Sequence, residues 1–150
     1  MKLGWIAAAG PAAEVNRVGS GLEWVLDLFL SVATPVQAAL PGLLSGRGAF
    51  RSAARARLAA SIGAWRGWCA RVPGAELLAA AGGWGAIVRL PGRGDAAEWA
   101  LTEHDVLLHP AHFYDWDDER HAVASLLPEP DVLAEALGRL EHGIGRRPPG

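Results

Sequence analysis

Gly82-Gly83-Trp84-Gly85-Ala86-Ile87-Val88-Arg89-Leu90-Pro91-Gly92 decides what kind of fold this chain adopts. Two glycines lead into a short apolar run, and Pro91-Gly92 closes it, which is the punctuation of a strand. Upstream, Phe50, Ala54, Leu58, Ile62, Trp65 and Cys69 recur at steps of three and four between Arg47 and Arg71. That spacing marks one face of a long amphipathic helix, with the arginines mostly on the other face. The hydrophobic period therefore changes at Pro73-Gly74 from about 3.6 residues to about two. Helices followed by alternating strands and helices make an α/β or α+β layer, not a bundle.

Toward the C-terminus, Asp95 suits the cap of a helix running through Thr102. Val106-Leu107-Leu108 reads as a buried strand, and His121 to Leu126 as another. Pro130-Asp131 opens a last helix whose stripe is Val132, Leu133, Ala136, Leu137 and Leu140. The tail from 146 to 150 combines Gly, Pro and Arg without periodicity and is expected to be disordered.

Toward the N-terminus, Pro11 fits the first turn of a helix that continues from Ala12 to Val18 and stops at Gly19-Ser20-Gly21. A second helix takes Leu22 to Leu30. Thr34-Pro35, a cap residue followed by proline, starts a third toward Leu44, and Ser45-Gly46 ends it. Lys2 to Ala7 reads as a short buried strand. A signal peptide competes for the same stretch, but the apolar part from Leu3 to Ala9 is short, carries Trp5, and runs into Gly10-Pro11 and Glu14.

Composition removes several functional classes. At 150 residues and 51% hydrophobic content the chain can bury a domain-sized core. A formal net charge of −2 gives no electrostatic case for nucleic acid, because phosphate binding needs a clustered positive surplus. The most apolar span, Leu22 to Leu44, is interrupted by Glu23, Asp27, Pro35, Gln37 and Pro41, so no membrane span is expected. Cys69 is the single cysteine and reads as a small core residue, which fits a reducing cytoplasm. His109, His112, Asp115, Asp117, Asp118, Glu119 and His121 have ligand chemistry but no spacing that fixes a geometry, so a polar loop is expected there and no metal. Ser20 and Ser45 lack matched His and Asp partners for a hydrolase triad. The tryptophans are spread over every element, as core and interface packing would place them.

Several segments together resemble class I and II aminotransferases of the fold type I, pyridoxal-phosphate-dependent group. Met1-Lys2-Leu3-Gly4-Trp5-Ile6 is similar to the stretch just after the cofactor lysine, where relatives run through a basic residue into Leu-Gly-Trp-Ile. Phe29 to Pro41, with Thr34-Pro35-Val36-Gln37, resembles a helix start near the family's subunit interface. Gly82-Gly83-Trp84 looks like the Gly-Gly-aromatic element of the small domain. Val106 to Asp115 resembles the loop that commonly reads His-Pro-Gly-His-Phe, and Val123-Ala124-Ser125-Leu126 the strand after it.

The resemblance implies the C-terminal part of a pyridoxal-phosphate transferase. Residues 1–45 would be a remnant of the cofactor-binding large domain and 46–145 the small C-terminal α/β domain. It implies transfer of an amino group between an amino acid and a 2-oxo acid in the full-length relative, with pyridoxal 5′-phosphate as cofactor and a homo-oligomer as the assembly. The family's Schiff-base lysine lies upstream of the position matching Lys2, the only lysine here, so no catalytic residue is assigned and the chain alone is expected to be inactive. Lys2 matches a basic residue that contacts the cofactor phosphate; an exposed terminal lysine is the equally open reading. Trp84 and Val123 fall on the substrate side. Val123 stands where many relatives have an arginine that grips the substrate carboxylate, and Ala111 where they have glycine. The alternative is a non-enzymatic small-domain module that mediates protein–protein interaction.

Overall fold

Arg51 to Arg71 forms the helix that its three-and-four spacing requires, but it is only the last part of a much longer one. The computed structural model describes residues 3–29, 33–78, 80–92 and 94–144. Within them lie α1 (Ala12–Phe29), α2 (Thr34–Arg71), β1 (Glu76–Leu77), β2 (Gly85–Arg89), α3 (Ala96–His104), β3 (His109–Pro110), a 3₁₀ turn (Ala111–Tyr114), β4 (His121–Ser125) and α4 (Pro130–Ile144). The chain divides into two compact units, Met1–Phe50 and Arg51–Gly150.

In the first unit the expected breaks do not occur. α1 runs through Gly19-Ser20-Gly21, and α2 runs through Pro41 and Ser45-Gly46. Glycine costs a helix interior only about 1 kcal/mol, and without a positive φ it is no stop signal. Gly19, Gly21 and Gly46 are not among the positive-φ glycines. α2 begins one residue earlier than expected, because the carbonyl of Ala33 already accepts the amides of Val36 and Gln37. The strand expected from Lys2 to Ala7 is absent: the described part, from Leu3, has no regular structure, and Gly4 to Ala9 are exposed. A strand is stable only when its backbone finds a partner.

The second unit carries a four-stranded, wholly antiparallel sheet in the order β1-β2-β4-β3. The chain is thus mixed α/β. Alternation sends Ala86 and Val88 of β2 and Ala122 and Ala124 of β4 into the core. These side chains are small, and the bulk is supplied by Trp65 and Trp68 of α2, Trp99 of α3, and Leu133, Leu137 and Leu140 of α4. Trp65 and Trp68 meet edge to face with ring centroids 5.6 Å apart. The expected stripe on α2 is rotated slightly: Trp68 is fully buried, whereas Phe50 is exposed.

Polar groups fix α2 to the connection after β4. Ser61 Oγ donates to the carbonyl of Leu126 at 2.9 Å, and Arg57 donates to the carbonyls of Leu127 and Pro128, both at 3.2 Å. The same guanidinium pairs with Glu129 at 2.7 Å. Arg57 is therefore a tether, not part of a solvated arginine face.

Asp95 caps α3 as expected, its Oδ1 accepting the amides of Ala97 at 2.8 Å and Glu98 at 2.9 Å. The expected strand Val106 to Leu108 is corrected: Val106 and Leu108 are buried and Leu107 is exposed, but the ladder starts one residue later, at His109. β1, which the sequence did not announce, pairs Glu76 and Leu77 with Arg89 and Val88.

Gly143 on α4 sits where a Cβ would collide with the imidazole of His104. Trp99 packs against that ring with centroids 4.6 Å apart, which restricts its retreat on that side. Gly143→Ala gains at most about 1 kcal/mol of helix propensity and incurs an overpacking cost of about 1–3 kcal/mol. Urea unfolding should show a net loss of stability; a net gain would mean that the α3–α4 contact is loose.

Candidate functional site

The strand alternation that buries Ala86, Val88, Ala122 and Ala124 turns Gly85, Ile87, Arg89, His121, Val123 and Ser125 to the opposite face. Register places Ile87 beside Val123, Gly85 beside Ser125, and His109 of β3 on the other side of Val123. The turn through Gly83, whose φ of +77° favours glycine, brings Trp84 to the edge of this face. The 3₁₀ turn brings Tyr114, and the loop after it Trp116.

Between them lies a cavity of about 430 Å³ lined by Trp84, Ile87, Tyr114, Trp116, His121 and Val123, among others. A neighbouring cavity of about 290 Å³ shares Trp84, Gly85, Tyr114 and Val123, and adds Leu107, His109 and Ser125. Gly85 helps to open this space: Val123 Cγ1 lies 3.3 Å from where a Cβ on residue 85 would stand. Trp84 and Val123, far apart in the chain, thus line the same cavities. Lys2 lies outside the described residues, as does the tail from 146 to 150.

Three polar arrangements border the cavities. His109 Nδ1 and the Tyr114 hydroxyl share a hydrogen bond of 2.8 Å, with their rings nearly parallel. His121 packs its ring against Trp116 at 5.0 Å and places Nδ1 3.3 Å from Asp118 Oδ2. Asp118 is gripped by Arg120, whose Nε and Nη2 donate at 2.9 and 2.7 Å to its two oxygens.

The side-chain hydrogen bonds from Arg120 hold the Asp118 carboxyl well below the usual carboxylate range; burial is the main opposing effect, and the Arg120 amide, the Arg120 charge and His121 add lesser lowering contributions. The folded value lies below the unfolded one, so this stabilisation is complete above about pH 4, the unfolded aspartate range, and is lost as pH falls through the folded value. Arg120→Ala should raise the Asp118 titration midpoint toward the ordinary range, read from its carboxyl carbon by NMR. An unchanged midpoint would assign the depression to another group.

A third cavity, of about 450 Å³, adjoins the first through Ala111 and Trp116 and is lined by Asp95, His112, Asp115, Asp117 and Glu119. His112 Nδ1 stands 4.0 Å from Asp95 Oδ2, the oxygen that does not cap α3. Among the described residues no three His, Cys, Asp or Glu side chains converge as metal ligands. Ala111 lies within the 3₁₀ turn and has no positive φ, so alanine carries no backbone strain there; the left-handed residue of this loop is Asp115, at 54°. Burial, with a smaller contribution from Glu76, raises the Cys69 thiol above its ordinary range, which disfavours the thiolate.

Tyr114, Trp116, His109 and His121 form the walls of the site together with Trp84 and Val123, yet the resemblance puts only the last two on the substrate side. The signal for the others is the aromatic and histidine density of residues 109–121, which becomes a site only through the β3-β4 register. No protein-family model matches the chain. A search of curated proteins likewise gives no match.

Proposed function

We propose that this chain serves as the small-domain part of a pyridoxal-phosphate aminotransferase, contributing one wall of a site that a lysine-bearing large domain completes. The observation that supports this most directly is the meeting of Trp84 and Val123 at one cavity on the exposed sheet face. Both positions are assigned to the substrate side by the resemblance.

The described residues do not by themselves fit the cofactor. The only lysine in the sequence is Lys2, which lies outside them, and neither Lys nor Arg lines the cavities around Trp84 and Val123. Nothing there forms an imine or neutralises a phosphate. Transfer of an amino group between an amino acid and a 2-oxo acid therefore belongs to a larger assembly.

The second reading, a non-enzymatic module for protein–protein interaction, draws on α1. None of its residues is buried, and Trp24, Leu26, Leu28 and Phe29 are exposed. Patches of this kind commonly mark association surfaces. The two readings part at the reading frame upstream of Met1. An in-frame Ser-x-x-Lys, with bound-cofactor absorbance and turnover in the extended protein, supports the aminotransferase. An extended protein that lacks this motif and binds no pyridoxal phosphate leaves the interaction module. No helix among the described residues is long and apolar enough to cross a membrane.

A further inference from the structure

The rings around the sheet-face cavity sit beside a carboxylate-lined one, and that juxtaposition defines a ligand chemistry. We propose that this face binds an organic ammonium ion with an apolar or aromatic body, the body filling the first cavity and the cationic group lying between the rings and the carboxylates. The inference rests on the cavities alone; in the transaminase reading, the group that pairs with the substrate carboxylate would have to come from outside these cavities.

Size and lining come first. A cavity of about 430 Å³ is in the range that holds a small organic molecule. Its floor is made by the side chains of Ile87 and Val123 with the strand backbone at Ala86 and Ala122 between them, and its rim carries Trp84, Tyr114 and Trp116. Indole and phenol faces attract a cation placed within about 6 Å of the ring centroid, and tryptophan does so best.

Charge then chooses among apolar ligands. Trp116 and Ala111 are common to this cavity and the next, which is lined by Asp95, Asp115, Asp117 and Glu119. Neither cavity is lined by Lys or Arg. The guanidinium of Arg120 is committed to both oxygens of Asp118, and Arg89, on the same sheet face beside His121, donates to the carbonyl of Gly74 and lines neither cavity. A carboxylate or phosphate entering here would lie beside four carboxylates with no lining Lys or Arg to offset them, whereas an ammonium would meet complementary charge. Val123, where an arginine would have reversed this preference, is part of the apolar wall.

The test uses the whole chain and three probes of similar size: benzyltrimethylammonium, neutral benzyl alcohol and anionic hydrocinnamate. Binding is followed through the indole N–H resonances of Trp84 and Trp116, assigned by single Trp→Phe variants. The expected result is saturable shifts of these two signals with the ammonium probe, weakened by salt, and no saturable shift with hydrocinnamate. Asp115→Asn with Asp117→Asn should weaken the ammonium probe by about tenfold and leave benzyl alcohol unaffected, since only the charged probe uses those carboxylates. Asparagine is among the residues that accept the left-handed conformation at 115, and both side chains are exposed, so the fold is undisturbed. Trp84→Ala, also at an exposed position, should abolish saturable binding. Equal affinity for all three probes, or no saturation with the ammonium probe at millimolar concentration, overturns the proposal.

Discussion

Trp68→Ala should cost about 3–5 kcal/mol of folding stability, the range for truncating a buried aromatic residue to alanine. Trp68 is completely buried, packs edge to face on Trp65, and its Nε1 donates to the carbonyl of Leu137 at 3.0 Å. The substitution removes a buried aromatic contact and the hydrogen bond that joins α2 to α4. Neighbouring Trp65 provides the control, because its Nε1 is buried with no acceptor among the described residues. Trp68→Phe should lose about 0.5–1.5 kcal/mol for the hydrogen bond in addition to its packing loss, while Trp65→Phe removes an N–H that bonds to nothing and should be the milder change. Urea unfolding of the three variants measures this. Equal losses in the two Phe variants would show that the Leu137 bond contributes nothing.

The second large effect is catalytic. The chain alone should not transaminate, although a protein extended upstream through an in-frame Ser-x-x-Lys should. Transamination needs a proton carrier held at the reacting carbon, and positioned acid–base catalysis is worth about 10²–10⁴ in rate. Lys2 is no substitute, because the resemblance places it at the phosphate end of the cofactor. The assay offers both proteins several amino acids with 2-oxoglutarate or pyruvate. Robust turnover by the 150-residue chain, abolished by Lys2→Ala, would show that the active site is misassigned.

Within the second unit, the elements were legible because their signals are local. Gly82-Gly83 and Pro91-Gly92 bracket a run that becomes Gly85–Arg89, Asp95 caps the helix after it, and Pro130 opens α4. Alternation in β2 and β4 names the inward side chains, and three-and-four spacing in α4 names Leu133, Leu137 and Leu140, but Val132, expected in the same stripe, is exposed. In the first unit the same local reasoning failed at Gly19-Ser20-Gly21 and Ser45-Gly46. Glycine weakens a helix without dictating its end, so its meaning depends on what the flanking residues do.

The candidate site belongs to the other category. His109, Tyr114, Trp116 and His121 carry no spacing that joins them to Trp84, and Val123 alternates like any strand residue. Pairing decides the matter: β4 lies between β2 and β3, so Val123 stands beside both Ile87 and His109. A slip of one residue would turn Val123 into the core and close the cavity. The sequence by itself determined the helices of the second unit and the strands β2 and β4, with the faces of those strands that are apolar, but neither β1 nor the place of β3. Which strands are neighbours, and hence which rings and carboxylates share a cavity, was decided only by the tertiary structure, because backbone pairing between distant segments leaves no periodic trace in either one.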